Sequence, residues 1–183
     1  MGREIERKFL VTEESWQKKA TSVHIRQGFF HTWRGHTVRV RIYDDKAFVT
    51  FKSRASGSIR RSEFEYAIPL EDAREMLATL CDQPLIEKRR HTLMEGGREW
   101  TVDVFTGVNK GLVLAEVELE SEQQQLELPN WAGEDVSKKP CFYNAYLTQH
   151  PYITWCMDLA CDGNCGLVHP PGIHFDDRRQ SDR

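Results

Sequence analysis

The chain of 183 residues carries 25 Lys plus Arg against 28 Asp plus Glu, a formal net charge of -3, which is length for one domain with a sizeable core and not for two large ones. At 39% hydrophobic and 29% charged residues it is short of core material for an average globular domain, so its charge has to be organised. A pI near 6.2 excludes the uniform positive field of a sequence-independent nucleic-acid binder.

No apolar run approaches the roughly 18 residues that span a bilayer, and the opening MGREIERKFL lacks the apolar centre of a secretory signal. A cytoplasmic protein is expected, with neither membrane nor nucleic acid as partner. Glu6 stands where a myristoylation motif requires Ser or Thr. Cys81 and Cys141 stand alone and Cys156, Cys161 and Cys165 fall in the tail, so a disulfide framework is not expected.

In chain order, residues 3–11 alternate as a first strand, and 12–20 reads as a helix following Thr12. Strands follow at 23–33, 36–43, 46–53 and 59–68, with Asp44-Asp45 in a tight hairpin. LEDAREMLATL over 70–80 is helical, then strands come at 84–94, 97–105 and 112–121, with a second hairpin at Gly96-Gly97. Helices are expected at 122–128 and at 140–149, the latter opened by Pro140 in its first turn. Residues 153–183 change character to Cys, Gly, Pro, His and Asp without a usable period and read as an irregular or disordered tail behind a domain of residues 1–152. The tail's spacing from Cys156 to His174 lacks the paired ligands of a structural zinc site, and the scattered His residues call for no catalytic role.

The eight strands place charge by parity. Glu4, Glu6 and Lys8 share one side of the first strand, opposite Ile5 and Phe9. Later strands add Arg39 and Arg41, Thr50 and Lys52, Arg61 with Glu63 and Glu65, Lys88 and Arg90, Asp103, and Glu116, Glu118 and Glu120. Charged faces on strands are ordinarily solvated. Here the opposite faces are Val, Ile, Leu and Phe and need covering by helices, so strands curled into a barrel with those faces outward would line its interior with charge. A charged interior is a binding site.

EIERKFLV resembles the ExExK motif of the CYTH superfamily, the triphosphate tunnel metalloenzymes. TVRVRIYDDKAFVTFKS, RRSEFEYAIPLEDAREML, IEKRRHTL, EWTVDVFTG, LVLAEVELESE and LPNWAGEDVSKKPCFYNAYL agree with that family in order, over residues 1 to about 152. The resemblance implies an α+β fold, an eight-stranded antiparallel β-barrel forming a tunnel with a charged interior and helices packed outside. It implies Lys8, Arg39, Arg41, Lys52, Arg61, Lys88 and Arg90 as substrate-binding cations. Glu4, Glu6, Glu63, Glu65, Asp103, Glu116 and Glu118 fall on the acidic, metal-holding side, and Lys88, Glu6 and Glu118 are the candidate catalytic residues. Mg²⁺ or Mn²⁺ is the implied cofactor and a small polyanion, triphosphate, the implied substrate.

The chemistry suits these residue types. Arg forks hold phosphate oxygens in pairs, Lys adds a movable point charge, and Mg²⁺ prefers a few carboxylates completed by water and substrate oxygens. Hydrolysis of inorganic triphosphate is the expected activity. Thiamine triphosphate or nucleoside triphosphate hydrolysis and adenylate cyclisation are the enzymatic alternatives, and a polyphosphate-binding sensor the non-enzymatic one. Where family members of this bacterial type often carry Tyr after the QG of the second strand, this chain has Phe29. Trp131 and Phe142-Tyr143-Asn144 are expected to be structural, in a helix packed on the barrel.

Overall fold

The computed structural model describes residues 2–30, 36–53, 61–121 and 123–155, with the backbone alone for 2–4, 19 and 61. The expected tail at 156–183 lies outside the described residues. Among the described residues ten antiparallel strands form one sheet: β1 Gly2–Glu4, β2 Glu6–Val11, β3 Thr21–Phe29, β4 Thr37–Tyr43, β5 Lys46–Lys52, β6 Arg61–Ile68, β7 Ile86–Glu95, β8 Arg98–Phe105, β9 Val113–Glu118 and β10 Ala132–Asp135. Their order is β1-β6-β5-β4-β3-β7-β8-β9-β2-β10.

The count of ten instead of eight has two causes. The first expected strand divides at Ile5: Gly2–Glu4 pair with β6, and Glu6–Leu10 pair with β9. Opposite flanks of the sheet are therefore joined by one buried residue, whose carbonyl accepts a 2.7 Å hydrogen bond from the Leu119 amide. The ladder itself is open, and the covalent chain ties its two ends into a barrel-like tunnel. The second cause is β10, which adds to the free edge of β2 with its register shifted between Ala132 and Asp135.

Helices are fewer than the periodicity predicts. Residues 12–20 yield only a 3₁₀ turn, Ser15–Lys19, because Trp16 is its one apolar anchor and no apolar stripe follows at helical spacing. Buried Trp16 sets its ring edge-on to His91 at 4.9 Å. No helix forms among the described residues of 122–128: Leu126 and Leu128 are spaced by two, and Pro129 favours an extended residue before it. The last expected helix splits into a 3₁₀ turn at Pro140–Phe142 and helix α2, Asn144–Gln149. Only α1, Leu70–Thr79, forms nearly as predicted, with Glu71 and Asp72 at its positive end.

Three apolar clusters hold the tunnel. Outside, Phe9, Trp100, Val102, Ala115, Val117 and Trp131 form one core, in which Trp100 lies 5.7 Å from Phe9 and 5.2 Å from Trp131. Also outside, α1 lays Ala73 and Leu77 onto Val40 and Ala47 of β4 and β5. The third cluster corrects the expectation that every apolar face turns outward. Phe29 pairs with Arg39, Phe105 with Lys88, and Ile86 with Gln27, so these apolar side chains share the inward face with the charged ones. Together with Leu10, Leu112 and Leu114 they pack on Phe142, Leu147 and Tyr152, so the C-terminal segment and the apolar inward positions form one plug.

Gly28 lies where the outer face of β3 meets the end of α1: a Cβ there would stand 2.6 Å from Cys81 Cβ and 2.8 Å from Leu85 Cδ2. Gly28→Ala is expected to destabilise the fold by about 1–3 kcal/mol through overpacking, and Cys81→Gly should restore part of the loss. Chemical denaturation of the single and double variants measures both effects; an unchanged midpoint in Gly28→Ala would show that α1 does not bear on β3.

Candidate active site

Register brings the inward charges into contact. Lys8 lies directly across from Glu116 and Glu6 across from Glu118 on β2 and β9, Arg90 pairs with Asp103 on β7 and β8, and Lys52 pairs with Glu63 on β5 and β6. The result is a polar cavity of about 500 Å³. Six cations line it, Lys8, Arg39, Arg41, Lys52, Lys88 and Arg90, against five carboxylates, Glu6, Glu63, Glu65, Glu116 and Glu118, with Gln27 and Asn144 as neutral members.

The charges do not divide into one basic and one acidic wall. They form two mixed clusters. In the first, Asp103 accepts from Lys88 Nζ at 2.5 Å and from Arg90 Nε and Nη2 at 2.7 Å each. Arg90 also reaches Glu116 at 2.6 Å, and Glu116 accepts from Lys8 Nζ at 2.5 Å. In the second, Glu65 accepts from Arg41 Nη2 at 3.1 Å and from Thr50 Oγ1 at 2.7 Å, while Arg39 Nη2 donates to Thr50 at 3.1 Å. Lys52 Nζ lies 2.9 Å from Glu63.

Burial makes these contacts obligatory. Lys88 and Asp103 are each 1% exposed, and an unpaired charge at that depth costs several kcal/mol. Burial depresses the Lys88 ammonium to about 8, although Asp103 pulls the other way. Burial also works against Lys8, but Glu116 and then Glu6 outweigh it and hold its pKa above the ordinary lysine value. The carboxyl of Asp103 resists burial through Arg90 and Lys88 and stays below its usual range; Glu116 stays well below, through Lys8 and Arg90. Burial, and then the neighbouring Arg39, lower Arg41.

Of the residues singled out from the sequence, eleven line the cavity as expected from parity. Asp103 lies behind the lining, and its two oxygens are engaged by Lys88 and Arg90. Glu4 and Arg61 face each other in the β1–β6 ladder, and their side chains lie outside the described residues. Among the described residues no three Asp, Glu, His or Cys converge as a preassembled cation cage. The donor set nonetheless fits a hard divalent ion. Glu6 and Glu118 are direct cross-strand partners on the cavity lining, and Mg²⁺ accepts a few carboxylates completed by substrate oxygens and water.

With that geometry in place, residues 2–143 match the CYTH domain. The chain belongs to the CYTH family. An inorganic triphosphatase of Acetivibrio thermocellus is 41% identical over 152 residues, 83% of this chain and 97% of that protein. An inorganic triphosphatase of Nitrosomonas europaea is 34% identical over 148 residues, 79% of this chain and 95% of that protein. A crystal structure of an inorganic triphosphatase superposes with a TM-score of 0.61 at 32% identity, covering 81% of this chain and 95% of that one.

Two members of this CYTH cavity were missed in the sequence. Gln27 shares its face with Arg41, so the parity that marked the other strands could have marked it; being uncharged, it drew no notice. Asn144, expected to be structural, opens α2 and receives Lys88 Nζ at 3.5 Å, a contact that no sequence spacing announces.

Removing the central carboxylate tests the first cluster. Asp103→Asn is expected to cost about 3 kcal/mol of stability at neutral pH, since it removes the counter-charge of buried Lys88 and leaves Arg90 with Glu116 alone. A depressed carboxylate contributes stability above its unfolded value of 3.8 and loses it as pH falls through the folded value, so the deficit should narrow below about pH 4. Denaturation curves across pH check this; an equal deficit at all pH values would assign the loss to packing.

Proposed function

We propose that this CYTH protein hydrolyses inorganic triphosphate to diphosphate and phosphate with the help of Mg²⁺ or Mn²⁺. The observation that carries the reading is the cavity itself, with six cations converging on about 500 Å³ beside a cross-strand pair of carboxylates. The inorganic triphosphatases to which the chain is similar support it, at 41% and 34% identity over most of its length. Glu63, Glu65 and Glu116 pair with lining cations and would serve a polyanion binder equally, so it is the cross-strand pair Glu6 and Glu118 that favours metal-dependent turnover over binding alone. The same reading sets the protein in the cytoplasm, with a small polyanion and no nucleic acid or membrane as its partner.

Contacts within the cavity support the following residue roles. Arg39, Arg41 and Lys52 grip phosphate oxygens from one side, and Lys8, Lys88 and Arg90 from the other, with Arg61 joining them from β6. Each of the six lining cations with a described side chain is already held by a carboxylate, so these donors are positioned before substrate arrives and need little reorganisation. Glu6 and Glu118 would hold the divalent ion, aided by Glu116 and, from β1, by Glu4. When bound, that ion supplies charge neutralisation on the phosphate chain and orientation of the attacking water. Glu63 and Glu65 hold the arginines and Lys52, and Asp103 serves as counter-charge to Lys88 and Arg90.

In the reaction a water oxygen bonds to a terminal phosphorus as the bridging P–O bond breaks, the electron pair leaving with diphosphate, and the water's proton passes to solvent or to phosphate oxygen. The transition state spreads negative charge over the oxygens that the arginines and lysines face, so these residues act by electrostatic stabilisation. Lys88 is matched to this. Its free pKa of about 8 rises when a polyanion enters, which makes it a cation during turnover.

A phosphate-release assay should show turnover of triphosphate above that of ATP or thiamine triphosphate, and EDTA should abolish it. Glu6→Gln and Glu118→Gln should each lower metal-dependent kcat by about 100-fold or more with the fold intact. Full activity in either variant would move the metal elsewhere. Binding without turnover would favour the sensor.

Lys88 gives a pH test. At pH 8 about half of it is neutral in the free protein. Triphosphate binding should therefore take up protons above pH 8 and weaken as pH rises, and Lys88→Met should remove that part of the uptake. Calorimetry in buffers of different ionisation enthalpy reads it directly; no difference between the two proteins would mean that binding leaves the protonation of Lys88 unchanged, and proton release specific to the wild type would leave Lys88 neutral in the complex, as a general base requires.

A further inference from the structure

Every hydrogen-bond donor of a buried side chain should find an acceptor, and a buried one without a partner calls for an explanation. Three side-chain nitrogens of residues lining this cavity are buried with no partner among the described residues: Gln27 Nε2, Arg39 Nε and Arg41 Nε. They are neighbours. Gln27 pairs directly with Arg41 across β3 and β4, and Arg39 lies two residues along β4 on the same face. The arginines keep their Nη2 groups on Glu65 and Thr50, while their buried Nε–H groups find no acceptor among the described residues.

Gln27 is the informative member because it needs no charge partner. Its side chain is 1% exposed at the border between the charged lining and the apolar plug, opposite Ile86 on one flank and Arg41 on the other. A glutamine kept there for packing alone would be worse than a leucine, since a buried amide donor without an acceptor costs about 1–3 kcal/mol. A ligand whose edge consists only of acceptors would satisfy Gln27 and both arginines at once. A phosphoryl group is such a ligand, with several non-bridging oxygens and, when fully ionised, no donor.

We infer that Gln27 is a substrate-binding residue, whose amide N–H donates to a non-bridging oxygen of the phosphoryl group seated at the plug end of the cavity, beside Arg39 and Arg41. This rests on the triphosphate reading and deepens it. A neutral donor at the end of a row of cations adds direction without adding charge. It would set how far the polyphosphate chain enters and so which phosphorus faces the hydrolytic machinery.

The test is binding of sodium tripolyphosphate by calorimetry in EDTA, so that neither metal nor turnover contributes, with thermal melting of the ligand-free proteins alongside. Gln27→Leu and Gln27→Met should lose about tenfold in affinity, the usual weight of a hydrogen bond to a charged group. Their ligand-free melting points should stay level or rise, because the orphan donor is gone. Gln27→Glu keeps the shape but replaces the donor by a carboxylate facing phosphate, and should bind more weakly than either. Wild-type affinity in the Leu or Met variant would overturn the inference, as would a Glu variant that binds better than those two, since that order marks a packing effect. If the wild-type protein itself failed to bind tripolyphosphate, the triphosphate reading would fall, and Gln27 with it.

Discussion

Asp103 is the point through which the interior is held. Its carboxylate is shared by Lys88 and Arg90, Arg90 passes the contact to Glu116, and Glu116 takes Lys8, so strands β7, β8, β9 and β2 are bound by one chain of ion pairs. In water such pairs contribute little, but here Lys8, Lys88 and Asp103 are buried, Arg90 and Glu116 are mostly so, and the buried members would be costly alone. Pairing each charge fixes the register, because a slip by one residue would turn the whole set toward the apolar cores. What makes the site chemically useful thus also specifies how these four strands meet.

The fold around that chain solves a closure problem. A sheet that buries charge on one face must return on itself, or the charges face open water and lose their effect on one another. Ile5 does this covalently, dividing the first strand so that its halves serve opposite flanks of the sheet. On the inward face, the plug of Phe29, Ile86 and Phe105 against Phe142 and Leu147 excludes water where no ligand is to sit. Polar and apolar residues on one face of one strand, as in Lys8 and Leu10, therefore mark depth along the tunnel and not an error of alternation.

The external packing explains why so few helices suffice. Trp16 and Trp131, from a 3₁₀ turn and a turn, pack with Trp100 of β8 over the outer face of β2, β8 and β9, where an aromatic ring buries area that would otherwise need a helix. One helix, α1, covers β4 and β5 through Ala73 and Leu77. Phe51, Phe64 and Tyr66 remain partly exposed on the outer face of β5 and β6, the part of the sheet that α1 does not reach.

Strand parity and residue type were enough by themselves to identify the inward charges, because a period of two admits only two faces and the opposite face was apolar. Lys8, Arg39, Arg41, Lys52, Lys88, Arg90 and the paired glutamates were all legible on that ground. Sequence also determined α1 and the Gly96-Gly97 hairpin, where both residues take positive φ. What tertiary structure alone decided is of another kind. That Ile5 splits a strand depends on which edges meet in space. That Asp103 stands behind the lining depends on who shares its oxygens, and that Asn144 reaches Lys88 depends on where α2 docks. Gln27 shows the limit most clearly: its parity was readable, but an uncharged side chain gains meaning only when burial shows that its amide nitrogen finds no acceptor among the described residues, and burial is a property of the assembled tunnel.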